Sequence, residues 1–278
     1  MKLSFLVLIV CIATLVVLFW HANRPGEKER GRVFKSVEHP SASSALSGAS
    51  YLKRAGPVIH YRFDQTSGTN ILDLTDKANN GNIKGAALWQ ADAFVFDGKN
   101  SIEISSPAKT AFGRGGFTVE LVMATDALPT EASRIVYAGY PGGNDWQIFM
   151  HPNGILWFSS RTEGGNFIGV KSKPVPLKEF VHLVGTRDQE GIVNLYINGE
   201  LQDTESGANA DYNVDAEYIS LGKARINVTW SFIGRIKEFR LYPRTVGEDE
   251  DEVIKHGLEY RKAVEQNFWG DTESKPSK

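Results

Sequence analysis

The sequence predicts an all-β protein: a two-sheet antiparallel jelly-roll sandwich with one C-terminal helix, behind an apolar N-terminal segment. Three observations predict it. Short runs rich in aromatic and β-branched residues recur at near-regular spacing between turns containing Gly or Pro. Several runs alternate, with Phe117, Val119, Leu121 and Met123 on one side of a strand and Thr118 and Glu120 on the other. One run ends in Asn198-Gly199, the dipeptide that most favours a tight hairpin because both residues tolerate positive φ.

In chain order, Leu3 to Trp20 is an uncharged apolar run after Lys2. As a helix it spans ~27 Å, close to the hydrocarbon thickness of a bilayer. Residues 1–22 therefore read as a signal anchor or as a signal peptide that is removed. Cleavage after Ala22 would put Trp20 where a small residue is wanted, and Val10 before Cys11 does not suit a lipoprotein signal. Arg24, Lys28, Arg30 and Arg32 follow the run and oppose outward placement, since basic flanks stay in the cytoplasm. The fold type argues for export and outweighs them. Residues 23–56 are polar, with SASSALSGAS at Ser41 to Ser50, and read as a flexible linker.

A sandwich domain is expected over 57–266. Strands are expected at Val58–Phe63, Ala93–Phe96, Ser101–Ser105, Phe117–Ala124, Arg134–Gly139, Trp146–His151 and Ile155–Ser159. Phe180–Thr186 and Ile192–Asn198 form a hairpin across Asp188 to Gly191, and Tyr218–Gly222 and Phe232–Tyr242 complete the set. Phe117, Val119 and Leu121 should face the interior, as should Val193, Leu195 and Ile197. Glu248 to Glu265 begins with acidic residues that suit a helix N-terminus, and Ile254 and Leu258 start an apolar stripe. The tail 267–278 reads as disordered.

Composition excludes several classes of function. A formal net charge of -2 gives no sign of a nucleic acid or an acidic polymer as partner. Cys11, inside the apolar run, is the single cysteine, so the domain holds itself by its core and not by disulfides.

Six pieces in order carry a family resemblance: HYRFDQTSGTNILDLTDKANNGNIKG from His60, AFVFDGKNSIEIS from Ala93, FTVELVMATD from Phe117, FVHLVGT from Phe180, VNLYINGE from Val193 and FIGRIKEFRLY from Phe232. Together they resemble the laminin G-like, concanavalin A-like lectin/glucanase domains over about Ile59 to Leu258. Asp64, Ser67, Gly68, Asp73, Asn80 and Gly81 fill the family's usual opening positions. Phe180 stands for its Trp. The resemblance implies an extracytoplasmic, non-catalytic binding module with a glycan or cell-surface glycoconjugate as ligand. A protein–protein adhesion or scaffold module is the alternative, and a glycoside hydrolase a more remote one, because one sandwich carries many functions. Localisation follows as membrane-anchored with the domain in the periplasm or at the cell surface, or secreted after signal cleavage.

No catalytic residue is assigned. No strand carries paired carboxylates at the alternating spacing that retaining glycosidases need. His60, His151 and His182 sit within alternating strands and read as edge or face residues. The resemblance implies one possible Ca²⁺, with Asp64, Asp97 and Glu238 as ligands. Lys237 stands where the family has an acidic residue and opposes a second cation. Rim residues Asn144, Asp145, Asp211, Asn213 and Asp215 form the other acidic group. For a sugar, rings and polar donors are needed together. The candidates are Tyr140, Asn144, Trp146, Arg161, Asn166 and Tyr212, in the rim segments Gly139–Trp146, Arg161–Asn166 and Ser206–Asp215, with Trp230 nearby. Trp146 also fits the alternation of a core strand, and Trp157 reads as core. Asn227-Val228-Thr229 fits an N-glycosylation acceptor.

Overall fold

The structure, a computed structural model, describes residues 56–90, 92–105, 115–140, 143–161, 166–208, 218–224 and 227–246. The expected helix at Glu248–Glu265, the N-terminal segment, the linker and the tail lie outside them.

The first strands are β1 (Ile59–Arg62), β2 (Asn70–Ile71), β3 (Gly81–Lys84), β4 (Trp89–Gln90), β5 (Ala93–Asp97) and β6 (Ser101–Ser105). The long central strands follow: β7 (Phe117–Thr125), β8 (Ser133–Tyr140), β9 (Gly143–Met150), β10 (Ile155–Arg161), β11 (Phe167–Pro174), β12 (Phe180–Arg187) and β13 (Ile192–Ile197). The last are β14 (Glu200–Ser206), β15 (Tyr218–Leu221), β16 (Lys223–Ala224), β17 (Asn227–Ser231) and β18 (Ile233–Tyr242). An eight-stranded sheet runs β14-β13-β12-β7-β18-β5-β4, with β1 also on β18. A ten-stranded sheet runs β11-β10-β9-β8-β15-β6-β3-β2, with β17 on β8 and β16 on β17. Pairing is antiparallel apart from short parallel contacts such as Ser231↔Arg134.

The expected turns form. Asn198 and Gly199 have φ of 53° and 76°, the left-handed pair that a two-residue hairpin between β13 and β14 requires. Beneath it, β12 and β13 pair from Leu183↔Ile197 to Arg187↔Val193, as the alternation predicted.

The core lies between the two sheets. Phe117, Val119, Leu121 and Met123 of β7 face it, with Val193, Leu195 and Ile197 of β13 and Phe239 and Leu241 of β18. The opposite sheet contributes Ile102, Ile104, Val136, Ile148, Leu156 and Phe158. Aromatic rings interlock through the middle: Phe94 lies 5.0 Å from Phe96, and Phe117 lies 6.0 Å from Phe158, both edge to face.

The outward residues of β7 are covered as well. Thr118 and Glu120 do point away from this core, but both are buried. The chain after β18 folds back over them. The Val246 amide donates to Thr118 Oγ1, which donates to the Arg244 carbonyl. Val246 and Tyr242 then pack with Val184 and Tyr196 in a second apolar cluster on that outer surface.

Candidate functional site

The outer face of the ten-stranded sheet carries a row of side chains made of rings and cations. Register builds it. Trp157 on β10 pairs with Lys171 on β11 on one side and with Phe149 on β9 on the other, and Phe149 pairs with Arg134 on β8. Trp230 on β17 closes the row. The Lys171 ammonium lies 4.3 Å above the Trp157 ring, and Trp157 and Phe149 are 5.4 Å apart. The Arg134 guanidinium sits between two rings, 4.7 Å from Phe149 and 4.5 Å from Trp230. His151 stacks on the other side of Trp157 at 6.3 Å. Trp157, Phe149, Arg134 and Trp230 are half-buried, while Lys171 and His151 are exposed. Rings held this way present flat apolar surface beside charged donors.

A β-bulge aims Arg134 outward. The β8–β9 register passes from Arg134↔Phe149 to Val136↔Ile148, which leaves Ile135 as the extra residue. Val136 and Ala138 face the core, so strict alternation would send Arg134 there too. The extra residue reverses the phase and sets Arg134 beside Phe149, the re-aiming that bulges commonly perform near functional sites.

The next row toward the rim is polar. Gly169, Ser159, Gln147, Tyr137 and Ser220 face one another across five strands. Ser159 Oγ, Gln147 Oε1 and Tyr137 OH are buried and lack a hydrogen-bond partner among the described residues. Buried polar atoms without protein partners are commonly met by ordered water. Beyond this row the motif of the first returns, with the Arg161 guanidinium 5.1 Å over the Phe167 ring.

The sequence-derived candidates fall unevenly on this surface. Arg161 lies at its rim end and Asn166 is exposed just before β11. Tyr140 and Asn144 are placed by their backbone at the β8–β9 hairpin, where Tyr140 pairs with Gly143 and Gly139 with Asn144. Tyr212 lies outside the described residues. Strand ends Tyr140, Gly143, Arg161, Phe167 and Tyr218 stand at one end of the sheet, since Tyr218 pairs with Gly139.

Trp146 and Trp157 exchange the roles expected of them. Trp146 is fully buried, its ring 5.2 Å from Phe117, and is a core residue and not a ligand-binding one. Trp157 alternates with buried Leu156 and Phe158 and so faces out. The run Ile155-Leu156-Trp157-Phe158 is apolar in both phases, which hides the choice from the sequence. Phe149, Arg134 and Lys171 were missed because cross-strand neighbours leave no mark in sequence spacing.

The proposed calcium ligands are spread over separate contacts. Asp64 pairs with Arg62 at 2.6 Å, and Asp97 accepts the Lys99 and Asn100 amides in a turn. Glu238 holds His60 and Arg240. Lys237 pairs with Asp92 at 2.7 Å. Among the described residues no group of three His, Cys, Asp or Glu side chains is placed to hold a metal ion.

The outer face of the eight-stranded sheet holds a second polar network of a different kind. Glu120 accepts from Tyr242 OH at 2.8 Å and from Arg240 at 3.2 Å, and its carboxylate lies 2.8 Å from His182 Nε2. Arg240 bridges Glu120 to Glu238, which contacts His60 Nε2 at 2.7 Å. Burial by itself raises the Glu238 pKa, but the His60 hydrogen bond and the Arg240 charge outweigh it and hold the carboxyl below its usual range. Burial and the Glu120 charge push the Tyr242 phenol up. Burial opposes the Arg240 charge, yet Glu120 and Glu238 hold its pKa above the ordinary value. Here charge meets countercharge within the chain.

Two antiparallel sheets packed face to face around one core, with one outer face bearing rings and cations, form a jelly-roll β-sandwich. The chain belongs to the concanavalin A-like lectin/glucanases superfamily: a laminin G domain model of that description matches residues 96–250. No curated protein sequence matches it. Among solved structures, it is similar to the receptor-binding domain of botulinum neurotoxin C/D mosaic serotype, with TM-score 0.58 and 12% identity over 73% of this chain and 51% of that one. The Trypanosoma rangeli sialidase in complex with sialic acid is similar with TM-score 0.61 and 15% identity over 74% of this chain and 33% of that one. The binding domain of botulinum neurotoxin DC in complex with rat synaptotagmin II gives TM-score 0.56 and 11% identity, over 74% and 52%. The chain spans about half the length of the neurotoxin domains and a third of the sialidase, and identities this low establish the shared fold.

Proposed function

We propose that the protein is a non-catalytic carbohydrate-binding module that takes its ligand on the outer face of the ten-stranded sheet, next to the rim loops. The observation that carries this reading is the half-buried ring row Trp157–Phe149, with Trp230 beyond Arg134, beside a polar row of Ser159, Gln147 and Tyr137. A sugar packs its C–H face on a ring and needs hydrogen-bonding groups beside it. Fold neighbours support the class: a neurotoxin DC binding domain is known in complex with SialylT, and type C neurotoxin depends on two ganglioside molecules for cell entry. The module works at the cell surface or in the periplasm, held by the apolar segment Leu3–Trp20. Among the described residues no helix is long and apolar enough to cross a membrane, and that segment lies outside them.

The test is a glycan array probed with the full-length chain in detergent and with its Trp157→Ala variant. The chain should retain one glycan class, and the variant should lose at least about tenfold in affinity, equivalent to ~1.4 kcal/mol. Capture of no glycan, or equal binding by the variant, refutes the reading, and capture of a protein partner alone favours the adhesion alternative. The tether has its own check: the chain should stay in the membrane fraction after carbonate washing, and a mature soluble form starting near Asn23 refutes it.

A further inference from the structure

Among the described residues Arg134 lacks the carboxylate that three other arginines of the domain hold. Arg62 pairs with Asp64, Arg235 with Asp126, and Arg240 with Glu120 and Glu238. Among the described residues no carboxylate pairs with Arg134. Its NH1 donates to the Ala132 carbonyl at 3.3 Å, and its Nε is buried with no partner. Burial lowers its pKa, the direction expected of a desolvated cation without a countercharge. The two flanking rings offset part of that cost through their faces. Among the described residues the Ala132 carbonyl is the acceptor shown for the planar, five-donor fork, and such a fork matches a carboxylate or sulfate in bidentate fashion.

Position reinforces chemistry. The bulge at Ile135 turns Arg134 out of the core, and the Ser231↔Arg134 bridge pins it beside Trp230. Lys171 lies three strands away in the same row, about 14 Å at the usual strand spacing. Its ammonium lies over the Trp157 ring. Between the two cations lie the rings of Trp157 and Phe149. The order cation, ring, ring, cation fits a chain of sugar rings with acidic groups at both ends of the stretch. A single-stranded nucleic acid also stacks on rings beside cations, but it draws on an extended positive field. The formal net charge of this chain is -2, which disfavours a phosphate backbone over a few local acidic groups.

Building on the carbohydrate reading, we propose that the ligand is an acidic oligosaccharide, its carboxylate or sulfate groups on Arg134 and Lys171 and its sugar rings on Trp157 and Phe149. The experiment titrates the full-length protein with three hexasaccharides: a heparin fragment carrying sulfate, an oligogalacturonate carrying carboxylate alone, and neutral maltohexaose. At least one acidic probe should bind about tenfold or more tightly than the neutral one. Affinity for it should fall steeply as salt rises from about 0.05 to about 0.5 M. Arg134→Gln and Lys171→Gln should each weaken acidic binding about tenfold and flatten that salt dependence, while Lys84→Gln, an exposed charge on β3, should do neither. Lys171 is exposed, so its variant remains informative even if Arg134→Gln perturbs folding. Preference for the sulfated or the carboxylated probe identifies the acid, and either supports the proposal. Equal binding of acidic and neutral probes, or unchanged acidic binding in both Gln variants, overturns it and leaves carbohydrate binding intact. Capture of no hexasaccharide while a thymidine oligonucleotide binds through these same residues overturns the proposal together with the carbohydrate reading.

Discussion

The exchange between Trp146 and Trp157 yields the sharpest test of the register. Each is to be replaced by Ala in turn. Trp146 is fully buried against Phe117, so truncation removes the transfer energy of an indole and leaves a cavity, about 3–5 kcal/mol. Trp157 is half-buried, so its truncation leaves no enclosed cavity. Its aromatic contact with Phe149 contributes about 0.5–1.5 kcal/mol and the Lys171 cation about 0.5–1 kcal/mol, so truncation costs about 1–2.5 kcal/mol. For a domain of this size each kcal/mol moves the Tm by roughly 2–4 °C, which predicts a loss of about 6–20 °C for Trp146→Ala and about 2–10 °C for Trp157→Ala. Urea unfolding followed by circular dichroism gives the same ranking independently of the fluorescence that both variants alter. Ligand capture should order them the other way, with Trp157→Ala inactive while folded. A larger stability loss in Trp157→Ala than in Trp146→Ala would put β10 in the opposite phase and remove the ring row from the surface.

Two further outcomes follow from the packing and the charges. Gly222 has φ of 86°, and a Cβ there would lie 2.1 Å from Cδ1 of the buried Phe96 ring. Gly222→Ala combines backbone strain with overpacking and should cost about 2–5 kcal/mol in thermal unfolding, and a loss under about 1 kcal/mol would contradict the position of Phe96. His60 and Arg240 hold the Glu238 carboxyl below its usual range, so the folded state favours the ionised form more than the unfolded chain does. That contribution is complete above the unfolded carboxyl value near ~4.3 and is lost as pH falls through the lower folded value. Glu238→Gln should therefore lose less stability than the parent on acidification below about pH 4, and parallel pH profiles would show the pair to be energetically silent.

The strands, the Asn198-Gly199 hairpin and the inward sides of β7 and β13 were legible because each is a local signal: a period of two or a turn dipeptide. The Glu120 side chain was assigned to the correct face but not to its environment. Its burial depends on Arg240, Tyr242 and the chain through Val246 returning across β7, contacts more than a hundred residues apart in sequence. The ring row was illegible for two reasons. Its members come from five strands whose order in the sheet is a tertiary fact, and one of them, Arg134, faces outward only because Ile135 is extra. A sequence read with strict alternation sends Arg134 into the core, where a lone cation is untenable. A charged residue in phase with Val136 and Ala138 was therefore the one available hint of the bulge.

The two outer faces of this sandwich differ in how their cations are balanced, and that difference argues for a division of labour. On the eight-stranded sheet Arg240 and Arg235 each hold a carboxylate, and Tyr242 and His182 complete the shell around Glu120. Breaking such a buried pair by removing one partner costs about 3–5 kcal/mol, so that face contributes to a unique fold and offers little to a partner. On the ten-stranded sheet Arg134 and Lys171 face rings, and among the described residues no carboxylate pairs with Arg134. Rings soften the cost of an unpaired cation without removing its demand for an anion. Stability alone would be better served by a carboxylate beside Arg134 than by two aromatic rings. The arrangement makes physical sense if the missing acceptors arrive from outside, at a surface already flat enough to receive a sugar.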